Sequence, residues 1–119
     1  MELFQKGEKM LSIFKIKCNK MKIKFQKEYH NQNYEEAFLT LKDLLIELIY
    51  NYAIRHNIIA YKDEICIENL IFTLSNTDMS SYINYISKFL FVVENFDSYK
   101  EGIDYMMENY QIIENSLLD

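Results

Sequence analysis

The chain has 119 residues, half of which are hydrophobic, and it contains two glycines and no proline. This apolar content excludes a disordered chain, because enough apolar surface is present to form a core. β-Sandwiches and β-barrels need many tight turns, which glycine and proline supply. The composition therefore predicts one domain, residues 1–119, built from long helices with short connections.

The net charge of −5 conceals two regions of opposite sign. Residues 1–30 carry eight lysines against three glutamates, which gives +5, whereas residues 31–119 carry five cations against fifteen acids, which gives −10. The first segment is thus a cation attached to an anionic body. We expect the two regions to attract each other, within one molecule or across a dimer.

A helix over about residues 3–29 is predicted from apolar side chains at alternating steps of three and four. They form a seam of Leu11, Phe14, Cys18, Met21, Phe25 and either Glu28 or Tyr29. This seam predicts packing against the next helix. Outside the seam, among the lysines, lie Ile13, Ile16 and Ile23. These isoleucines indicate a second packing surface, a dimer contact or a membrane-surface face, unless lysine stems simply shield them.

The most regular pattern spans residues 34–57 and predicts the central helix of a bundle. Its apolar face consists of Tyr34, Ala37, Phe38, Leu41, Leu44, Leu45, Leu48, Ile49 and Tyr52. Ile46 and Tyr50 widen this face, which is typical of a helix covered from two sides. Asn33 and Glu36 have the spacing of a capping box and predict the helix start.

Three shorter helices complete an all-α, up-and-down-like bundle of about five: residues 64–74, 79–95 and 99–117. Asp63 is predicted to cap the first of these three helices. The last has the clearest start, because Ser98 and Glu101 form the S-x-x-E capping box. Gly102 in its first turn costs about 1 kcal/mol relative to alanine, so it predicts a close helix crossing.

The sequence contains none of the common motifs for metal or cofactor chemistry. Cys18 and Cys66 form no CxxC pair, so each is interpreted as a small buried hydrophobic residue rather than a zinc ligand or half of a disulfide. A di-metal site needs a carboxylate three residues before each histidine, and those positions hold Lys27 and Ala53. Since G-x-S-x-G, H-E-x-x-H and glycine-rich phosphate loops do not occur, we expect no metal and no cofactor. No apolar run is long enough for a signal peptide or a membrane span, which predicts a cytoplasmic protein.

Arg55, the sole arginine, precedes His56 near the end of the central helix. An arginine and a histidine can together bind a phosphate and transfer a proton, which makes this pair a candidate for ribonuclease-like chemistry. Adjacent helical positions point about 100° apart, however, and do not converge on one ligand. The simpler interpretation is that both residues cap the carbonyl groups at the helix end.

The lysine-rich first helix is a second candidate site, because its side chains can neutralise several phosphates of a nucleic acid. The residues concerned are Lys15, Lys17, Lys20, Lys22, Lys24 and Lys27. The acidic remainder of the chain would repel nucleic acid, and most aromatic residues of this helix lie at or near the inner seam. Attraction between the basic helix and the acidic body is therefore the favoured interpretation.

The order of the predicted helices resembles that of HEPN domains. The resemblance depends on a long first helix, on Tyr34-Glu35-Glu36-Ala37-Phe38 at the start of the second, and on Glu68-Asn69-Leu70 followed by Leu74 in the third. It covers most of the chain. It implies a small helical bundle of a prokaryotic toxin–antitoxin or defence system, often dimeric and often paired with a minimal nucleotidyltransferase.

Ribonuclease members of that family carry an arginine followed, after four to six residues, by a histidine. At this spacing from Arg55 the chain has Ala60, Tyr61 and Lys62, and no histidine follows His56. The resemblance therefore implies a non-cleaving member that binds, and it transfers no catalytic residue to this chain.

We therefore expect a non-enzymatic module that binds a protein partner, as an inhibitor, an immunity protein or an antitoxin does. The acidic residues 31–119 suit a basic partner, and homodimerisation is a further expectation. The acids expected at the contact are Glu94, Asp97, Glu101, Asp104 and Glu108. Two alternatives stay open: a HEPN-type ribonuclease that uses Arg55 and His56, and a nucleic-acid-binding protein that uses the first helix.

Overall fold

The computed structural model describes residues 2–91 and 96–119, with side chains from residue 11 onward in the first range. Within these ranges the chain forms six α-helices and no β-strand: α1 (Glu2–His30), α2 (Tyr34–Arg55), α3 (Ile67–Leu74), α4 (Ser80–Phe91), α5 (Tyr99–Met107) and α6 (Tyr110–Leu118). The all-α prediction is confirmed, and the expected number of about five helices is corrected to six. The helix expected at residues 79–95 is described only to residue 91. None of the six helices is both long enough and apolar enough to cross a membrane.

α2 is the central helix, as its apolar pattern predicts. It contacts α1, α4, α5 and α6, and most of its circumference is buried. Five aliphatic side chains of α2 are at most 1% exposed: Leu41, Leu44, Leu45, Leu48 and Ile49. Burying an aliphatic side chain of this size contributes about 1.5–3 kcal/mol, so α2 provides a large part of the core.

The first two helices end in left-handed residues. Gln32 and Asn57 have φ angles of 63° and 59°. After α2, the N–H of Ile58 donates to the carbonyl of Ala53 at 2.9 Å. The N–H of Asn57 donates to the carbonyl of Ile54 at 3.1 Å. This pair of bonds is a Schellman motif, and it ends α2 two residues before the predicted boundary.

The predicted capping box at the start of α2 is wrong. Asn33 occupies the N-cap position, but its side chain accepts no hydrogen bond from the helix. Glu35 and Glu36 lie in the first turn instead, where the helix dipole favours negative charge. Both glutamates are exposed to solvent.

α3 starts later than predicted. Asp63 does not cap it but lies in a 3-10 turn, Lys62–Glu64, and α3 begins at Ile67 with Cys66 at its N-cap. Cys66 is exposed, which corrects the expectation that both cysteines are buried. Cys18 is buried as expected, and burial raises the pKa of its thiol to about 11.

The helix predicted over residues 99–117 is divided into α5 and α6. At the junction the N–H of Asn109 donates to the carbonyl of Met106 at 3.3 Å, which is a tighter turn than an α-helix makes. Asn109 then occupies the N-cap of α6. Asparagine favours helix starts over helix interiors because its side chain competes for backbone hydrogen bonds, which explains where the break occurs.

α1 packs antiparallel to α2 through the predicted seam. Cys18 and Phe25 are buried in it. The partly buried members are Leu11, Phe14, Met21, Glu28 and Tyr29. The hydroxyl group of Thr40 on α2 donates to the carboxylate of Glu28 at 2.6 Å, which also links the two helices at their polar edge.

Two lysines of α1 bind carboxylates of the acidic body. Lys17 pairs with Glu47 of α2 at 3.2 Å, and Lys22 pairs with the buried Glu114 of α6 at 3.2 Å. Burial opposes ionisation of Glu47, but hydrogen bonds from Lys62 and Lys17 outweigh it and lower the pKa of this carboxyl group. Part of the basic helix is thus held by the acidic body within one molecule.

Gly102 lies where α5 packs against Phe38 of α2. A Cβ atom at this position would lie 2.8 Å from a ring carbon of Phe38 and 3.1 Å from one of Phe96. Phe38 is buried, and its ring packs against that of Phe89 with centroids 4.4 Å apart. Because Phe38 is packed against Phe89, the missing side chain of Gly102 permits the close crossing that the sequence predicts.

Replacement of this glycine tests the crossing. We expect Gly102→Ala to lower the free energy of unfolding by about 1–3 kcal/mol, because overpacking outweighs the roughly 1 kcal/mol by which alanine is the better helix former. Urea denaturation followed by circular dichroism measures the change. Unchanged or higher stability would contradict the close contact with Phe38.

Candidate protein-binding groove

The start of α5 is fixed by the predicted N-cap Ser98, although Glu101 reaches back to the N–H of Asp97 and not to that of Ser98 itself. The hydroxyl oxygen of Ser98 accepts a hydrogen bond from the N–H of Glu101 at 3.1 Å. One carboxylate oxygen of Glu101 accepts a bond from the N–H of Asp97 at 2.8 Å. These bonds hold the negative charge of Glu101 at the positive end of the helix dipole.

Three of the acids predicted to contact a partner line one groove. Glu101, Asp104 and Glu108 follow at steps of three and four, which places them on one face of α5. The groove, which we call the α5 groove, has a volume of about 620 Å³. Its other lining residues are Lys88 of α4, Phe96 and Tyr105.

Aromatic rings form the apolar part of the α5 groove. Tyr105 stacks on Tyr85 of α4 with centroids 4.4 Å apart and planes 12° apart, and the ring of Phe96 lies 5.2 Å from that of Tyr105. The hydroxyl group of Tyr85 donates to the carbonyl of Tyr105. Burial raises the pKa of Tyr105, and the nearby Tyr85 and Glu108 raise it further, so the phenol is neutral at physiological pH.

The sequence pattern predicts no contact role for Phe96 or Tyr105. The sequence does show that both aromatic residues lie near the predicted contact acids, because Tyr105 follows Asp104 and Phe96 precedes Asp97. The position of Tyr105 in the groove depends on its stacking with Tyr85, which is 20 residues away along the chain, and Phe96 packs against Tyr105. A helical period does not reveal a contact between two helices at that distance.

Asp104 differs from the other acids of the α5 groove because two side chains donate hydrogen bonds to its carboxylate. The hydroxyl group of Tyr29 and the ammonium group of Lys100 each donate to this carboxylate at 2.8 Å. The hydrogen bond from Lys100 is the main cause that lowers the pKa of Asp104. Asp104 therefore links α5 to α1, whereas Glu108 forms no ion pair with any residue that the structure describes.

The other two predicted contact residues lie outside the α5 groove. Asp97 is exposed and borders a neighbouring groove of about 300 Å³, which Phe38, Phe96 and Tyr99 also line. Glu94 lies outside the described residues. The structure therefore brings together three of the five acids predicted at the contact.

Arg55 binds the carbonyl groups at the end of α6. Its Nε donates to the side-chain oxygen of Asn51 at 2.6 Å, and one terminal nitrogen donates to the carbonyl of Asp119 at 3.2 Å. The other terminal nitrogen donates to the carbonyl of Leu117. Burial lowers the pKa of Arg55. Arg55 thus caps a different helix from the one that contains it, because the Schellman motif already closes α2.

His56 takes no part in this guanidinium cap. Its exposed ring packs against that of Tyr52 with centroids 4.1 Å apart. The hydrogen bonds of Arg55 lead to Asn51 and to the end of α6, and none of them involves His56.

The six lysines proposed for nucleic-acid binding fall into two groups. Lys17 and Lys22 form the ion pairs with the acidic body described above. The remaining four are exposed and form no ion pair within residues 11–91 and 96–119: Lys15, Lys20, Lys24 and Lys27. In the same part of the chain, no group of three or more His, Cys, Asp or Glu side chains is placed to hold a metal ion.

Comparison with known proteins does not assign the chain to a family. No protein-family model, no curated protein and no solved structure matches the chain. The resemblance to HEPN domains stays a prediction that depends on the residue pattern alone.

The role of Arg55 can be tested by substitution. We expect Arg55→Ala to lower the free energy of unfolding by about 1–3 kcal/mol, because it removes three hydrogen bonds from a charged donor. His56→Ala is the control and should change stability by less than about 0.5 kcal/mol, because its ring is exposed. Urea denaturation measures both, and equal effects of the two substitutions would contradict a structural role for Arg55.

Proposed function

We propose that the protein is a non-enzymatic binding module whose α5 groove docks onto a basic protein. Inhibitors, immunity proteins and antitoxins of prokaryotic defence systems fit this description when they cover the basic, nucleic-acid-binding surface of an enzyme. The observation that supports the proposal most is that carboxylates and aromatic rings line the same groove. An acidic patch without aromatic rings would favour any cation, including a hydrated ion.

The lining of the α5 groove matches the chemistry of an arginine or lysine side chain. Carboxylates such as Glu101 and Glu108 accept charge-assisted hydrogen bonds from guanidinium and ammonium groups. The faces of Tyr105 and Phe96 attract the same cations, within about 6 Å of the ring centroid. Three acids and one lysine, Lys88, leave a net charge of −2 on the lining.

The wider charge distribution supports the same partner. Residues 31–119 carry a net charge of −10, and an excess of one sign raises the association rate with a partner of opposite sign by about 10- to 1,000-fold. Lys17 and Lys22 form ion pairs with Glu47 and Glu114. These pairs reduce the positive potential by which α1 would repel a basic partner. Association should therefore slow as salt is added.

The two alternative functions have less support. A HEPN-type ribonuclease would need Arg55 to bind the phosphate of RNA, but its donors are occupied by Asn51 and by carbonyls of α6. A nucleic-acid-binding role would depend on Lys15, Lys20, Lys24 and Lys27, which form no ion pair with a described residue, and the acidic remainder of the chain would repel the phosphates. RNA cleavage by the wild type that His56→Ala abolishes would overturn the binding proposal in favour of the ribonuclease.

An arginine-rich helical peptide is a suitable probe of the α5 groove. We expect it to bind the wild type, and Glu108→Lys to weaken binding by about tenfold or more, which corresponds to about 1.4 kcal/mol or more. Tyr105→Leu should also weaken binding, because it removes the aromatic face while keeping the apolar volume. Fluorescence anisotropy at about 50 and 300 mM salt measures these affinities and their screening.

The matched control is Glu68→Lys, which makes the same charge change at an exposed site on α3. It should weaken peptide binding much less than Glu108→Lys does. Equal losses for the two variants would show that only the net charge matters, and binding that ignores salt would remove the electrostatic argument.

A further inference from the structure

The α5 groove lies between two helices that are tied together by a pair of tyrosines. Tyr85 of α4 and Tyr105 of α5 stack on each other. The hydroxyl group of Tyr85 donates to the carbonyl of Tyr105, and that of Tyr105 donates to the carbonyl of Tyr85 at 3.5 Å. Because each bond joins a side chain of one helix to the main chain of the other, the spacing of α4 and α5 is fixed. A partner therefore meets a groove whose walls are already in place, which lowers the cost of ordering on binding.

Two acids of the α5 groove stand at a defined separation along α5. Glu101 and Glu108 are seven positions apart. Although Glu108 follows the last residue of α5, its backbone stays helical, with φ −56° and ψ −33°. Its N–H donates to the carbonyl of Asp104 at 3.2 Å, as in an α-helix. Two helical turns therefore separate the two acids, which places them on one face and about 10.5 Å apart along the helix axis.

Both of these acids can accept further hydrogen bonds from a partner. Glu101 and Glu108 are exposed. Only one oxygen of Glu101 accepts the N–H of Asp97. Neither acid forms an ion pair within residues 11–91 and 96–119. The α5 groove thus offers two separate carboxylates to a cationic partner.

The position between the two acids has a different character. Asp104 already receives hydrogen bonds from Tyr29 and Lys100, and the ammonium group of Lys100 compensates its charge. A partner cation at this level would have to displace Lys100. The rings of Tyr105 and Phe96 line the α5 groove here as well, and they offer apolar surface. The α5 groove therefore favours a cation at each end and an apolar side chain in the middle.

This order of sites matches a helix better than an extended chain. A partner helix that runs along α5 has the same rise per residue, so its positions i and i+7 lie about 10.5 Å apart on one face. Its position i+3 or i+4 then lies at the level of Tyr105. In an extended segment, side chains on one face are about 6.6 Å and about 13.2 Å apart, and neither spacing equals that of the two acids.

We propose that the α5 groove binds an amphipathic α-helix of another protein, with arginine or lysine at positions i and i+7 and an aliphatic residue at i+3 or i+4. This inference rests on the proposed function and specifies the form of the basic partner. Anchor residues at these steps are how helices dock into grooves. The cations bind Glu101 and Glu108, and the aliphatic side chain packs on Tyr105.

Lys88 determines which edge of the partner helix carries the cations. It lies on the α4 side of the α5 groove, is exposed, and forms no ion pair with a residue in the described ranges. Its charge repels a cation placed on that side. The edge of the partner that faces α4 is therefore neutral or acidic, and Lys88 contributes to specificity by repulsion.

Two alanine-rich helical peptides of about 20 residues and identical composition test the spacing. The matched peptide carries arginine at i and i+7 and leucine at i+3. In its isomer the second arginine is moved to i+5, which turns it by about 140° from the first. We expect the matched peptide to bind the wild type at least about tenfold more tightly, measured by fluorescence anisotropy at about 50 mM salt. A proline in the middle of the matched peptide breaks the helix and should remove this advantage.

Substitutions in the protein assign the effect to the α5 groove. Glu108→Gln should remove the preference for the matched peptide, because one of the two anchoring charges is lost. Glu68→Gln, the same change at an exposed site on α3, is the control and should keep the preference. Lys88→Ala should bind the matched peptide at least as tightly as the wild type does. Circular dichroism checks that every variant is folded.

The results separate this inference from the proposed function. If the isomer and the proline peptide bind as tightly as the matched peptide, and Glu108→Gln weakens all three, the helical partner is refuted while the acidic groove stays the binding site. If no peptide binds, or if Glu108→Gln has no effect on binding, the proposed function fails as well. Self-association of the wild type that Glu108→Gln abolishes in sedimentation equilibrium would overturn the separate protein in favour of a second copy.

Discussion

The burial of α2 is the interaction on which the rest of the structure depends. Its side chains from Leu41 to Ile49 are in contact with helices on several sides, and each buried aliphatic residue contributes about 1.5–3 kcal/mol. α1, α5 and α6 each cover a part of this helix with their own apolar seams. The close crossing at Gly102 belongs to the same packing, because it lets α5 reach the ring of Phe38.

Because the core is filled by apolar side chains, the charged side chains lie mostly on the outer surfaces of the helices. α1 carries the lysines, and Lys17 and Lys22 attach it to Glu47 and Glu114 of the body. Removing Lys22 would leave the buried charge of Glu114 uncompensated, so this pair also fixes how α1 lies. The charged side chains that remain unpaired are available for binding, and the α5 groove is where acids meet aromatic rings.

Periodicity of 3.6 residues predicts the helical class, the central position of α2 and the inner seam of α1, because apolar spacing determines which side of a helix is buried. The same signal does not reveal the helix break at Asn109, because the helical spacing of apolar residues continues through it. It also cannot assign Arg55, whose carbonyl partners lie more than 60 residues away, at the end of another helix. The α5 groove can be predicted only in part. The spacing of its acids on one helix is visible in the sequence, whereas the stacking of Tyr105 on Tyr85 is a contact between two helices.

Native-state hydrogen exchange tests the central role of α2 most directly. We predict that the amides from Leu41 to Ile49 exchange slowest of all, and only through global unfolding, so that their denaturant dependence equals that of unfolding followed by circular dichroism. The amides of α3, which packs mainly on α4, should exchange through local opening at lower free energy. Faster exchange in α2 than in α3 or α6 would contradict a fold that is organised around α2.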